Sequence, residues 1–329
     1  MKIKISELED LTARALKQNG YANHEIPLIK GALLYAQLRG NNQGVVKLIG
    51  KGMPKDLQAG DIIVEKESPL SARLNGNKNH AMLVMNKAVG IVLEKVKQLG
   101  FAMVGTFNTN TSSGAIGHYT SAIAENGYIA FAFARSPERV AFHGSYEPVF
   151  GTDPLSIAIP SKPFPIVFDM STAAISFYGL VEAQTAGQSI PHDMAYDEKG
   201  QPTTDPGQGI KGAIRSFDRS YKGSGLAMMA EILAGPLVGA AFCGIGDSKN
   251  NWGHLIFAIN PDLLGSKDTF IEHVLQIKEK IKSGKKLEGV SDIFLPGERG
   301  SKKAQACLES GEIDLEDNLY HQLKKAAAL

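Results

Sequence analysis

The pattern of apolar and polar residues along the chain changes between a helical period and a strand period. The first 38 residues predict two amphipathic helices. Ser6 and Glu9 have the spacing of a capping box at the start of the first helix. The second helix is predicted from Glu25 to Leu38, with Pro27 in the first turn, where a helix tolerates proline.

The remaining pattern alternates strands with helices. The predicted elements are strand 61–68, helix 80–100, strand 101–108, helix 117–127, strands 128–134, 155–160 and 165–170, a helix that begins within 171–187, helix 220–237, strand 254–260, surface helix 267–284 and charged C-terminal helices; residues 190–209 are predicted as a polar loop. This order predicts an α/β fold with a mixed sheet that is at least partly parallel.

The composition is that of a globular protein with 329 residues, of which 43% are hydrophobic and 21% are charged. This length allows two or three packed regions. The net charge of +1 argues against binding to nucleic acid or to a membrane surface. Cys243 and Cys307 form no CxxC pair, and the first ten residues contain no apolar signal segment, so we expect a cytoplasmic protein.

Residues 225–246 are the most apolar part of the chain. They contain Glu231 and Pro236 and lack basic flanks, which disfavours a membrane span. We therefore expect a buried helix that ends or kinks near Pro236. Just before it, Ser220 can cap the helix, and Lys222 in the first turn would favour a bound phosphate or carboxylate. A solvated lysine is the alternative.

Two other segments carry candidate chemistry. Residues 168–174 turn from a strand end into a helix and supply polar atoms where α/β proteins often bind ligands, although simple helix capping is equally consistent. Residues 108–120 are rich in small polar residues and glycine and contain His118 and Tyr119. A GxGxxG match at 207–212 follows a turn, so we do not interpret it as a dinucleotide site. The histidines show no metal-ligand spacing, and no metal is expected.

Several blocks together resemble the malate/L-lactate dehydrogenase family, a group distinct from the Rossmann-type malate and lactate dehydrogenases. The blocks are YEPVFGTDPLSIAIP, FDMSTAA, GQPTTDP, SYKGSGLAMMAEILAGPLVGAAF, IFAINPDLLG and LPGERG. The family includes sulfolactate, ureidoglycolate and diketogulonate dehydrogenases and cyclic-imine carboxylate reductases. The resemblance implies a homodimer, a non-Rossmann fold that binds NAD or NADP, and a small carboxylic acid substrate.

The resemblance also suggests three regions and a set of cofactor contacts. Residues 1–75 would form a helical region that packs with the C-terminus. Residues 76–260 would form an α/β region that binds cofactor and substrate and that could itself contain two subdomains. Residues 261–329 would form a C-terminal helical region. The implied cofactor contacts are Phe168, Asp169, Met170, Ser171, Thr172, Ala173, Ala174, Tyr221, Lys222, Gly297, Glu298, Arg299, Thr152 and Asp153. Asp153 stands where the family's GTNP turn has asparagine.

The sequence departs from the family pattern at the positions of the family's catalytic residues. Family members carry DSHGLRR after the second helix, with a histidine as proton donor and an arginine for the substrate carboxylate. Here Gln43 replaces that histidine, and Lys47 stands near the arginine position. In a second family motif, SNHFGAAGYY, Ser112 takes the place of a histidine and His118 that of a tyrosine. The chain thus resembles a subgroup that lacks the usual catalytic histidine.

These departures leave the proton donor open. We expect His118 to be the first candidate, because its ordinary pKa suits proton transfer near neutral pH. Tyr119, His143 or a water held by Gln43 or Ser112 are the alternatives, and Lys47, Arg135 or Arg139 would hold a carboxylate. The expected function is hydride transfer between nicotinamide and C2 of a 2-oxo or 2-hydroxy acid. A cyclic imino acid reductase and a non-catalytic dinucleotide-binding protein are the competing functions.

Overall fold

The computed structural model describes residues 1–328. Ten helices lie in this range: α1 Ile5–Gln18, α2 Ile26–Leu38, α3 Ala81–Leu99, α4 Gly117–Glu125, α5 Phe177–Thr185, α6 Pro206–Lys211, α7 Tyr221–Ala234, α8 Lys267–Lys282, α9 Glu298–Ser310 and α10 Asp317–Ala328. Two single 3₁₀ turns, Val45–Leu48 and Pro261–Leu263, complete the helical elements.

The strands form three sheets. They are β1 Lys2–Lys4, β2 Ile63–Glu67, β3 Ser71–Asn75, β4 Phe101–Thr109, β5 Ile129–Ala134, β6 Val140–Ala141, β7 Pro148–Phe150, β8 Leu155–Ile159, β9 Ile166–Met170, β10 Ala195–Tyr196, β11 Pro202–Thr203, β12 Ala213–Ile214, β13 Trp252–Ile259 and β14 Glu312–Asp314. The largest sheet has the order β2-β3-β4-β13-β5-β8-β9. Only the β3–β4 pair in it is parallel, which confirms the mixed α/β fold.

The two smaller sheets connect distant parts of the chain. A five-stranded sheet has the order β11-β10-β12-β6-β7. In the third sheet β1 pairs with β14 in antiparallel register, with Ile3 opposite Ile313, and α1 packs against α10. The two ends of the chain therefore lie together. The proposed division into 1–75, 76–260 and 261–329 stays a prediction.

Two apolar cores hold these layers together. One lies among α1, α2, α10 and the start of α3 and includes Leu8, Leu33 and Leu323. The other lies between the large sheet and α3 and α4 and includes Val92, Ile123 and Ile256. Burial of large aliphatic side chains is the main favourable term in folding, so these two cores fix how the helical layer sits on the sheet.

Most predicted elements are confirmed, with bounds shifted by a few residues. Gly100 ends α3 in the left-handed conformation, with φ of +78°, as a C-terminal glycine does. Ser220 caps α7 by accepting a hydrogen bond from the Lys222 amide, and α7 ends at Ala234, before Pro236.

Several predictions are corrected by the structure. Ser6 is not a cap, because α1 begins at Ile5 and has Lys4 at its N-cap position without a side-chain hydrogen bond. The polar loop at 190–209 contains two short strands and the start of α6. The strand β3 was not predicted, although its sequence SARLN alternates polar and apolar residues. The rejected GxGxxG match lies in α6 and the glycine after it, preceded by the two-residue β11.

The helix α7 is buried on one side only. Glu231 and Ala227 are buried, whereas Tyr221, Met228 and Ile232 are 66%, 39% and 42% exposed. The apolar run therefore indicates a helix with two apolar faces, one of which lies uncovered in the single chain. No helix within residues 1–328 is both long enough and apolar enough to cross a membrane.

Candidate active site

A cavity of about 760 Å³ opens where the helical layer meets the large sheet. Four parts of the chain line most of it: the segment after α2, the loop after β4, the segment after β5, and the junction between β9 and α5. Its volume falls in the range of about 300–1,000 Å³ that is typical of small-molecule and cofactor sites. We therefore regard it as the candidate active site.

The segment after α2 is bonded to the start of α5. The Asn42 amide donates a hydrogen bond of 3.1 Å to the Ser176 hydroxyl, and Gln43 donates one of 3.2 Å to the Asn42 side-chain oxygen. Ser176 in turn caps α5 by accepting from the Gly179 amide at 3.0 Å. These bonds place Gln43, at the position of the family histidine, in the cavity wall.

Lys47 is the one cation of this wall that is almost fully buried and makes no ion pair in the described chain. Its residue is 5% exposed, and Nζ donates to the Ser112 hydroxyl at 3.1 Å. Nζ also lies 4.2 Å from the centre of the Tyr178 ring. Burial disfavours the charged ammonium and lowers the pKa of Lys47 to about 7. Lys47 therefore exchanges between charged and neutral forms near neutral pH.

Another part of the cavity wall is formed by the end of β9. Asp169, Met170 and Ser171 line the cavity, with Thr152 beside them. The Asp169 carboxylate accepts a hydrogen bond of 2.8 Å from the Gly117 amide at the start of α4. Asp169 is accessible through the cavity, but protein atoms surround its carboxyl group, and this desolvation raises its pKa to about 6.

The two arginines of the cavity differ in burial and in ion pairing. Arg135 is fully buried and bonds to Glu138 at 2.6 Å, to Glu231 at 3.3 Å and to the Ser248 carbonyl at 2.9 Å. Arg139 is exposed, forms no ion pair with any residue in 1–328, and stacks 4.3 Å from the Phe177 ring centre. Of the two, Arg139 is the guanidinium available to a ligand.

Asp153 belongs to the buried charge cluster behind this wall, not to the cavity lining. It is fully buried, has φ of +25°, and accepts a hydrogen bond from the Ser136 amide. Burial and the neighbouring Glu231 carboxylate raise the pKa of Asp153 well above its ordinary value. The second oxygens of Asp153 and Glu231 have no other partner, so a proton shared between the two carboxyls satisfies both.

His118 lies away from the cavity, which removes the geometric support for its expected role as proton donor. Its ring packs edge-on against Tyr35 of α2, with centroids 5.3 Å apart, and faces Gly31. Burial lowers the pKa of His118 to about 4, so the ring is neutral at pH 7. The helical turn that starts α4 points this side chain at α2.

The two other expected acids also lie outside the cavity lining. Tyr119 is 1% exposed, sits in the core between sheet and helices, and donates its hydroxyl to the Ser113 carbonyl at 2.8 Å. Burial raises the pKa of Tyr119 further. His143 is exposed on a loop beside α7, where its amide bonds to Ser224.

The residues implied as cofactor contacts fall into separate groups. Tyr221 and Lys222 begin α7 and lie outside the cavity lining, as do Gly297 and Arg299. Glu298 lines a second cavity of about 340 Å³ and makes ion pairs with Lys282 and Lys302, each 2.8 Å long. In the 168–174 block, the residues outside the cavity lining are Phe168, Thr172, Ala173 and Ala174.

Sequence reasoning missed His80 and the segment around Asp56. His80 caps α3 by accepting from the Met82 amide at 3.2 Å, and burial lowers the pKa of His80 to about 3. Its position just before a long apolar helix was a usable signal for a cap. Nothing local marks Asp56, which reaches the cavity only through the path of the loop before β2.

A sequence profile of the family described as malate/L-lactate dehydrogenase matches residues 3–324. The chain belongs to this family. It is 34% identical over 270 residues to the L-sulfolactate dehydrogenase of Methanothermobacter thermautotrophicus, covering 80% of this chain and 76% of that protein. It is 32% identical to the malate/(S)-sulfolactate dehydrogenase of Methanothermus fervidus, covering 99% of this chain and 97% of that protein.

The fold agrees with this family membership. The solved sulfolactate dehydrogenase from Methanocaldococcus jannaschii superposes with a TM-score of 0.84 at 27% sequence identity. The match covers 99% of this chain and 96% of that structure. The protein is therefore an oxidoreductase of the malate/L-lactate dehydrogenase family, as the resemblance implied.

The cavity residues fit a nicotinamide cofactor. The end of β9 presents Asp169, Met170 and Ser171 to the cavity, and these belong to the block that the family resemblance assigned to the cofactor. Gln43 and Lys47 line the same cavity, so a substrate bound there would meet polar groups. Within residues 1–328, no group of three or more His, Cys, Asp or Glu side chains is arranged to hold a metal ion.

The shared proton at Asp153 gives a prediction for stability. A carboxyl with a raised folded-state pKa contributes stability that is present below the unfolded pKa of about 4 and is lost as pH rises through the folded pKa. Asp153→Asn keeps a permanent donor to Glu231 and tolerates the positive φ. We expect its Tm to exceed that of the wild type by an amount that grows with pH, on the order of a few degrees at pH 8.

Differential scanning calorimetry between pH 5 and pH 9 measures this difference, and Asp153→Ala is the control. The alanine variant removes the donor and leaves Glu231 unsatisfied, so its Tm should fall at every pH. A Tm of Asp153→Asn below that of the wild type at pH 8 would show that Asp153 is an ionised carboxylate in the folded state.

Proposed function

We propose that the chain interconverts a small 2-oxo acid and the corresponding 2-hydroxy acid in the cavity between β9 and the segment after α2. The observation that carries this proposal is the cavity itself. Its lining brings together part of the implied cofactor block, the hydrogen-bonding side chains of Gln43 and Ser112, and two cations, Lys47 and Arg139, that form no ion pair within residues 1–328. The bound nicotinamide supplies or accepts the hydride. The protein binds, orients and desolvates the substrate, and positioning of this kind contributes much of the rate.

Arg139 is the group that we assign to the substrate carboxylate. It is free of ion pairs within the described chain, and its guanidinium can contact a carboxylate with two parallel hydrogen bonds. The Arg139 guanidinium lies over the Phe177 ring, and the next residue, Tyr178, contacts Lys47 through its ring. Gln43 and Ser112 then face the reacting carbon as neutral hydrogen-bonding groups.

Reduction of a cyclic imino acid is the second candidate. A protonated imine is already activated and needs a weaker acid than a ketone does. The cavity lining contains one histidine, His80, whose Nδ1 accepts the helix-cap hydrogen bond and whose pKa is lowered by burial to about 3, so the ring is uncharged at neutral pH. A site without a histidine donor is consistent with this substrate class. A purely cofactor-binding protein is disfavoured by the polar wall, which would serve no purpose without a polar substrate.

Cofactor binding and turnover test the proposal. NADH and NADPH are titrated into the protein with nicotinamide fluorescence as the readout, and oxidation of the bound cofactor is then followed with panels of 2-oxo acids and of cyclic imino acids. We expect binding of at least one cofactor and turnover of at least one 2-oxo acid. Binding without turnover across both panels would leave a non-catalytic binder, and the absence of binding would contradict both functions.

Arg139→Ala tests the assigned carboxylate contact. We expect KM for the acid substrate to rise by about tenfold, since hydrogen bonds to a charged group contribute about 1.5–3 kcal/mol and about 1.4 kcal/mol corresponds to a factor of ten. The Kd of the cofactor should change less than twofold. A rise in cofactor Kd with an unchanged KM would instead place Arg139 at a cofactor phosphate.

We propose that the exposed face of α7 pairs with a second copy of this chain, as the family resemblance implies. Four residues lie on this face at helical spacing: Tyr221, Gly225, Met228 and Ile232. A Cβ added at Gly225 would meet no atom of this chain, so the face is open for close approach. An uncovered apolar helix face of this kind marks an interaction surface. The expected cytoplasmic location stays a prediction.

The double variant Met228→Glu/Ile232→Glu should dissociate the dimer, because two carboxylates would be desolvated in each half of a symmetric interface. Light scattering after gel filtration should give twice the chain mass for the wild type and one chain mass for the variant. Leu264→Glu, at a residue that is 97% exposed, is the control and should stay dimeric. A monomeric wild type at micromolar concentration would contradict the assignment.

A further inference from the structure

We propose that Lys47 is the proton donor when the substrate is reduced and the base that accepts the hydroxyl proton when it is oxidised. This inference rests on the proposed function, because it assigns one chemical step to the same cavity. It differs from the role that the family pattern suggests for this position, which is to hold the substrate carboxylate.

The first argument is the placement of the amine. The side chain runs through the wall from the 3₁₀ turn Val45–Leu48 and is almost entirely enclosed, yet the residue lines the cavity. Within residues 1–328, Nζ makes a single hydrogen bond, which it donates to the Ser112 hydroxyl at 3.1 Å, and it lies 4.2 Å from the centre of the Tyr178 ring. An ammonium group has three donors, so donors remain for a substrate oxygen.

The second argument is the charge around the amine. The charged or titratable side chains that face it are His80 from the start of α3 and Tyr178 from α5. His80 is neutral at pH 7, and burial raises the pKa of Tyr178, so that phenol is neutral as well. No carboxylate of residues 1–328 lies within ion-pair distance of Lys47, and burial therefore acts on it without compensation.

The consequence is an amine suited to proton transfer at neutral pH. A general acid or base works best when its pKa lies close to the operating pH, and burial lowers the pKa of Lys47 to about 7. Below that pH the ammonium can donate to a developing alkoxide, and above it the neutral amine can accept from a hydroxyl. A residue that only held a carboxylate would need to stay charged.

The competing groups of the site are less well placed. His118 and Tyr119 lie outside the cavity lining. Asp169 is the strongest rival, because it lines the cavity with a pKa of about 6, but its carboxylate already accepts from the Gly117 amide. It also belongs to the block that the family resemblance assigns to the cofactor.

The step balances in atoms and electrons. In reduction, the substrate's C2 gains a C–H bond with the hydride that nicotinamide C4 loses, and the carbonyl π electrons move to oxygen. That oxygen forms an O–H bond with a proton from Lys47 Nζ, and one N–H bond of the lysine breaks. Lys47 is left neutral and regains a proton from solvent through the open side of the cavity. Ser112 holds Nζ in place throughout.

Two substitutions at Lys47 separate proton transfer from carboxylate binding. Lys47→Met keeps the length of the side chain and removes the amine, whereas Lys47→Arg keeps the charge but titrates only above a pH of about 12. We expect kcat for 2-oxo acid reduction to fall by about 10²-fold or more in both variants. In the wild type kcat/KM should decline above pH 7, and neither variant should show that limb.

Chemical rescue by added amines distinguishes proton transfer from a structural role, because an added amine can replace a proton donor but does not repair a disturbed structure. Lys47→Ala should regain activity with small primary amines, and the rescued rate should depend on the amine's pKa. Lys51→Met, at an exposed lysine of the same segment, is the matched control and should keep the wild-type pH profile. Thermal melting and cofactor titration of each variant establish that fold and cofactor binding are retained.

The outcomes distinguish the two levels of the proposal. A wild type that turns over no 2-oxo acid removes the proposed reaction and this assignment with it. If the wild type is active, then substantial activity of Lys47→Arg, or a raised KM with unchanged kcat in Lys47→Met, overturns the assignment alone and makes Lys47 a carboxylate contact. Loss of the pH 7 limb in Asp169→Asn, with the limb retained in Lys47→Met, would transfer the role to Asp169.

Discussion

The site depends on the junction between the segment after α2 and the start of α5. The Asn42–Ser176 hydrogen bond joins the helical layer to the end of the large sheet. The two aromatic residues that follow Ser176 then support one cation each, with Arg139 over Phe177 and Lys47 over Tyr178. Because the same helix start carries both contacts, the spacing between Lys47 and Arg139 is set by α5.

Burial then determines which charges remain available. Arg135 forms ion pairs with Glu138 and Glu231. Removing one partner of a buried ion pair lowers the free energy of unfolding strongly, so this cluster supports the cavity wall from behind. Asp153 joins the cluster as a proton-sharing carboxyl, which gives it the hydrogen-bonding capacity of the asparagine found in the family turn. Lys47 has no such partner in the described chain and is therefore the group whose charge changes with pH.

The family fold is compatible with a proton donor other than the family histidine, because hydride transfer and proton transfer depend on different residues. Hydride transfer needs a bound nicotinamide, and Asp169, Met170 and Ser171 of the block implied to contact it line the cavity. Proton transfer needs one group of suitable pKa, and desolvation can give a lysine that pKa without any change of fold. Gln43 and Ser112 then retain the hydrogen-bonding shape of the wall while the proton source moves to a neighbouring residue.

The sequence alone determined the alternation of helices and strands, the family, and the chemistry-bearing segments, because apolar periodicity and local motifs are properties of neighbouring residues. It placed Gln43, Lys47, Ser112 and Asp169 in the candidate site, and all four line the cavity.

Only the tertiary structure decided which side chains share the cavity and which charges are compensated. His118 has suitable chemistry in sequence, but the start of α4 turns it towards α2. Lys47 looks like an ordinary carboxylate ligand until its burial is seen. Desolvation and ion pairing arise from residues far apart along the chain, and local patterns do not encode them.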